Sequence, residues 1–118
     1  MKHEKNFVAR DIDTGVIIAN RVNVASTRAK RAIGLLGRNH LESGEALWIT
    51  PCHGVHTWFM RFSIDLAFLD RELRVLRIVP DVRPWRFAYA RRSRYVLELP
   101  AGAAARRGLQ TGDRLVIS

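Results

Sequence analysis

Residues 52–56, Cys-His-Gly-Val-His, place one thiol and two imidazoles within a single short segment. Tetrahedral zinc takes four ligands, or three and a water. Cys52 and His56 could face one way, with Asp65 or Glu98 as a distant oxygen ligand. No second cysteine supports such a site, and the simpler reading is a loop whose side chains make ordinary hydrogen bonds. The same residue types could also do thiol chemistry. Cys52 would be the nucleophile, His56 its base and Asp65 the orienting carboxylate. Cys52 follows Pro51 at a strand end, however, where no helix N-terminus is evident to activate it.

Two carboxylates sit in apolar runs: Asp65 between Ile64 and Leu66, and Glu98 between Leu97 and Leu99. A buried carboxylate must be paired or hydrogen-bonded, because desolvating it alone costs too much. His56, Thr57, Arg61 and backbone amides are the candidate partners. In the structural reading, these groups fix loop geometry. In the functional reading, His56, Thr57, Arg61, Asp65 and Glu98 line the mouth of a binding pocket. Asp65 is expected to matter more for folding than Cys52.

Residues 83–95 interleave cations with aromatic rings. Such a mixture can follow a phosphate backbone while bases stack. Arg83, Trp85, Arg86, Arg91, Arg92 and Arg94 are the candidate polyanion contacts. The segment matches no base-reading signature, so nucleic-acid binding through it would be weak, sequence-independent and salt-sensitive. The plainer reading packs Trp85 and Phe87 onto the body of the protein and leaves the arginines in water.

The whole chain shares this charge bias. It has 118 residues and a formal net charge of +9, with 20 basic and 11 acidic residues, and lysine occurs only at positions 2, 5 and 30. Arginine's planar fork suits phosphate and carboxylate, so an acidic ligand or a nucleic acid is the partner class expected; codon bias toward arginine and alanine would give the same composition. With one cysteine, no internal disulfide and no four-cysteine zinc site can form. We expect no metal and no cofactor. The charged first residues do not resemble a secretory signal, and no run approaches the length of a membrane span. These features are read as a cytoplasmic monomer with one domain over 1–118, a length that buries an adequate core.

The elements that must position these groups are mostly short strands. Residues 6–10 and 15–19 flank an Asp-rich turn and predict a hairpin, which 22–25 extend. Ser26 predicts a helix cap, residues 27–36 a helix with an alanine-rich face, and Gly37 its end. Strands are expected over 46–50, 64–69, 73–79, 95–99 and 114–117. A second short helix is expected over 101–107, and residues 80–94, with two prolines, as irregular. The fold class expected is mainly β (α+β): a compact antiparallel sandwich or barrel-like domain with two short helices.

Residues 52–65, CHGVHTWFMRFSID, together with Gly34-Leu35-Leu36-Gly37-Arg38, residues 65–70, the LELPAG segment at 97–102, Gly108-Leu109 and Gly112-Asp113, resemble the bacterial and archaeal family known as domain of unknown function 192. The resemblance runs from about Val22 to Ser118. It implies a compact, mainly β fold and no established activity, cofactor or catalytic residue. Many members carry an N-terminal hydrophobic export segment, from which this chain departs. Many also have Trp-Met-Lys where this chain has Phe59-Met60-Arg61, its tryptophan standing one place earlier, at Trp58. The function expected is a noncatalytic binding or accessory module. The alternatives are a small hydrolase or metal-dependent enzyme using Cys52, His56 and Asp65, and a nucleic-acid-binding module using 83–94.

Overall fold

A computed structural model describes residues 7–25, 38–50 and 54–118. The expected helix over 27–36, with its Ser26 cap and Gly37 stop, lies outside the described residues, as do Cys52 and His53.

Among the described residues, nine strands carry the fold: β1 (Phe7–Asp11), β2 (Ile17–Ala25), β3 (Glu45–Ile49), β4 (Gly54–His56), β5 (Ile64–Leu69), β6 (Val75–Val82), β7 (Phe87–Tyr89), β8 (Tyr95–Pro100) and β9 (Leu115–Ile117). One short helix, α1 (Ala103–Arg106), stands among the described residues. Seven strands form one sheet in the order β6-β5-β8-β3-β2-β1-β9, while β4 and β7 pair as a separate ribbon. The β1–β2 hairpin turns where Asp11 Oδ1 accepts the amides of Asp13 and Thr14, the local bonding that favours aspartate in turns.

The sheet is mixed, which corrects the antiparallel expectation. β2 and β3 run parallel, with Val22 opposite Ala46 and Val24 opposite Trp48. Parallel neighbours need a long crossover, and residues 26–44 supply its length. The sheet also curls into a half-barrel. Its outermost strands approach each other at one end, where Arg74 bridges Arg114, the Val75 amide donates to Asp113 O and the Leu115 amide to Leu73 O.

β5 reads as apolar on both faces and is buried at every position. Successive side chains of a strand alternate faces, so β5 feeds two cores. Ala67 and Leu69 join Val22, Trp48, Leu97 and Leu99 in the first. Ile64, Leu66 and Phe68 join Ile49, Val55, Met60 and Val96 in the second. The second core is where the β4–β7 ribbon packs, through Val55 and Ala88.

Two expectations for 80–94 change. β6 continues through Pro80 to Val82, and β7 forms within the stretch read as irregular. Pro80 is tolerated because β6 is an edge strand, where a missing N–H breaks no ladder bond on the open side.

A turn ahead of β3 is held by a two-pronged ion pair. Arg38 donates to both carboxylate oxygens of Glu45, at 3.0 and 2.7 Å, and the Glu42 amide donates to the same carboxylate at 2.9 Å. The Arg38 hydrogen bond is the main cause holding the Glu45 carboxyl below its ordinary range, against partial desolvation. A depressed carboxylate stabilises the fold above its unfolded-state pKa, and the contribution fades as pH falls through the folded value. Arg38→Gln should therefore lower stability slightly at pH 7, by less than about 1 kcal/mol for such a partly exposed pair. The gap between variant and parent should narrow below about pH 4. Urea midpoints at both pH values check this.

Candidate functional site

Asp65 is 1 % exposed on β5. Its Oδ1 accepts the amides of Asp81 at 2.9 Å and Gly102 at 3.1 Å, and its Oδ2 accepts the Ala104 amide at 3.0 Å. The reason lies in the helix start. Gly102 is the cap residue of α1, with φ of 87°, and has no side chain to receive the free amides of the first turn. Asp65 reaches across from the sheet to do so. Of the partners expected from sequence, backbone amides are the ones it uses.

Glu98 is fully buried on β8, opposite Leu66 on β5 and Leu47 on β3. Those leucines belong to the second core. Asp65 lies opposite Leu99, which belongs to the first. Alternation therefore sends the two carboxylates to opposite faces of the sheet, and they do not share one pocket mouth.

His56 and Thr57 sit at the end of the ribbon with contrasting roles. Thr57 is fully buried. Its hydroxyl donates to Arg83 O at 2.6 Å and accepts the Arg86 amide at 2.9 Å. Its own amide donates to Arg86 O at 2.8 Å, and its carbonyl accepts the amides of Trp85 and Met60 at 3.1 and 3.2 Å. One threonine thus ties residues 57–60 to residues 83–86. His56 is exposed and stacks on Trp58, with ring centroids 4.8 Å apart. Arg61 is exposed on the loop that follows.

The tie holds aromatic rings out in water. Trp58, Phe59, Trp85, Phe87 and Tyr89 are all more exposed than buried or nearly so, at 48, 66, 58, 65 and 53 %. The expectation that Trp85 and Phe87 pack onto the body is thus overturned. On β7, Ala88 is the residue that faces the core, which leaves Phe87 and Tyr89 on the outer side. Gly54, paired with Tyr89, makes room there. A Cβ at Gly54 would stand 3.2 Å from Phe87 Cζ, so the tip of the Phe87 ring occupies the space a side chain would need. Phe87 and Tyr89 are near parallel, 24° apart with centroids 6.3 Å apart.

Phe59 and Trp85 meet edge to face at 4.7 Å. Both have positive φ, 67° and 65°. A bulky residue in this region is a true outlier costing on the order of 1 kcal/mol. The surrounding bonds to Thr57 impose it.

Arg83, Arg86, Arg91, Arg92 and Arg94 are exposed. Among the described residues, the ion pairs are formed by Arg21, Arg38 and His40 with Glu42 and Glu45, not by these five arginines. Residues 54–63 and 82–95, which carry these rings and arginines, contain no aspartate or glutamate, and Asp81 stands exposed just ahead of them. The exposed rings were the feature least visible in sequence. Only the alternation at 87–89 and the glycine at 54 hinted at them.

The matching family model is DUF192, "Uncharacterized ACR", over residues 10–117. The match starts within β1, ahead of the Val22 boundary read from sequence. A UPF0127 protein of Pyrococcus abyssi is 34 % identical over 102 residues, covering 80 % of this chain and 84 % of its own. A UPF0127 protein of Pyrococcus furiosus is 30 % identical over 111 residues, covering 89 % and 93 %. A crystal structure of a protein of unknown function from Novosphingobium aromaticivorans is similar, with a TM-score of 0.80 at 23 % identity, over 96 % of this chain and 84 % of that one. A crystal structure described as a "putative transcription regulator", from Sinorhizobium meliloti, has a TM-score of 0.81 at 21 % identity, over 99 % and 97 %. At these identities the two structures speak to the fold.

Proposed function

The chain belongs to the uncharacterized DUF192 family, and from that premise we propose that it is a noncatalytic binding module whose contact surface is the aromatic face around the β4–β7 ribbon. The observation that carries this reading is the group of half-exposed rings from Trp58 to Tyr89, mounted on strained turns tied by Thr57. Water-facing apolar area of this kind marks interaction surfaces, and backbone strain gathers at binding sites. Nearby arginines and the absence of acids from 54–63 and 82–95 favour an acidic ligand.

The rival thiol-enzyme reading needs a carboxylate free to orient His56. Asp65 already uses both oxygens on three backbone amides, which supports the binding reading over Cys52–His56–Asp65 chemistry. The proposed module acts as a monomer in the cytoplasm. Among the described residues no helix is long and apolar enough to cross a membrane.

Tryptophan fluorescence tests the reading directly. Trp48 is buried and stacked on Tyr95, whereas Trp58 and Trp85 are half exposed. Titration with oligouridylate, heparin fragments and phosphatidylserine vesicles should quench or shift the exposed pair with at least one of them. Emission that responds to none of the three would remove the proposal.

A further inference from the structure

We propose that the occupant of this face is a single-stranded nucleic acid, with successive bases stacked on Phe87 and Tyr89 and the phosphates drawn along the arginines that flank them. The inference rests on the binding-module reading and names its ligand.

Three observations carry it. The first is the shape of the mounting. The tip of the Phe87 ring reaches over Gly54, where a Cβ would stand 3.2 Å from it, while most of the residue's surface meets solvent. A flat, exposed ring is a stacking platform, and stacking on such platforms tolerates any base. The second is the spacing. Phe87 and Tyr89 present two near-parallel rings with centroids 6.3 Å apart, a separation suited to neighbouring bases that have left their own stack. A duplex hides its base faces and offers nothing to these rings. The third is charge. Arg83 and Arg86 precede the platform, and Arg91, Arg92 and Arg94 follow it on the same segment. No ion pair to these arginines is found among the described residues, and the guanidinium of Arg86 makes one long bond, to Trp85 O at 3.4 Å, which leaves donors on all five for phosphate.

The test is fluorescence anisotropy with a labelled 12-mer oligouridylate, against a duplex RNA of equal length and phosphatidylserine vesicles. The single strand should bind best, and its affinity should fall about 50-fold between roughly 50 and 200 mM salt if about four phosphates are neutralised. Phe87→Leu keeps apolar bulk but has no stacking face. It should weaken binding about tenfold or more while leaving unfolding cooperative with only a slightly lower midpoint, since most of the ring faces water. Arg91→Gln with Arg92→Gln should flatten the salt slope by about 1.4. Single-strand binding that Phe87→Leu leaves intact would overturn the stacking assignment. Preference for duplex or for vesicles would overturn the nucleic-acid assignment and leave the binding module standing. Failure of every polyanion would remove both.

Discussion

Asp65→Ala should destabilise the protein by about 3 kcal/mol, because it strands three backbone donors at once and each buried orphan costs about 1–3 kcal/mol. The Ala104 amide is buried outright, and those of Asp81 and Gly102 are partly so. Asp65→Asn should fall between the two, since one amide oxygen can still accept while the new NH2 confronts another N–H. Cys52→Ser should cost less than Asp65→Ala. Urea midpoints for the three variants decide the order. If Asp65→Ala were harmless, its carboxylate would be structurally idle and a direct role in ligand chemistry would become the better account. A larger loss in Cys52→Ser would point to a buried or ligated thiol.

Thr57→Val has the second-largest expected effect, about 2 kcal/mol. Valine fills the same volume but leaves the Arg83 carbonyl and the Arg86 amide without the hydroxyl they share. The damage should also be local. With residues 83–86 released, the positive φ at Trp85 loses part of what enforces it, and the ring should relax from its place against Phe59. Thr57→Ser restores the hydroxyl and should recover most of the stability and of the oligouridylate affinity. A Thr57→Val protein of parental stability would show that the backbone bonds between the two loops suffice. Weakened binding in a stable variant would assign the hydroxyl to positioning the rings.

The strands that alternate or run apolar were legible in the residues themselves. The turns at Asp11-Ile12-Asp13-Thr14-Gly15 and Asp70-Arg71-Glu72 sit between strands as their composition requires, and an aspartate inside β5 announced a hydrogen-bonded carboxylate. Its donors were not legible, because they lie 16, 37 and 39 residues away and are backbone amides, which carry no residue signature. The ribbon escaped for a related reason. Strands of three residues such as β4 and β7 are too short for periodicity to separate from a loop, and their pairing is set by Thr57 across about thirty residues. The parallel β2–β3 pair depends on how the intervening chain crosses over, which local patterning does not encode. Trp85 and Phe87 read as buried because apolar rings usually are. Ala88, between Phe87 and Tyr89, was the better guide to which side of the strand faces the core.

The meeting of the sheet's outer strands near Arg74 and Arg114 bears on how the protein behaves at high concentration. An open strand edge is a template for another chain, and edge-to-edge pairing leads to polymers. Here the beginning of β6 is occupied by the segment leading into β9, and the far end of β6 carries Pro80, which offers no N–H to an incoming strand. On the other side β9 is three residues long. The curl that encloses the first core thereby leaves the sheet little continuous edge on which a second molecule could add a strand, a safeguard for a chain whose neighbouring ribbon keeps so many rings in water.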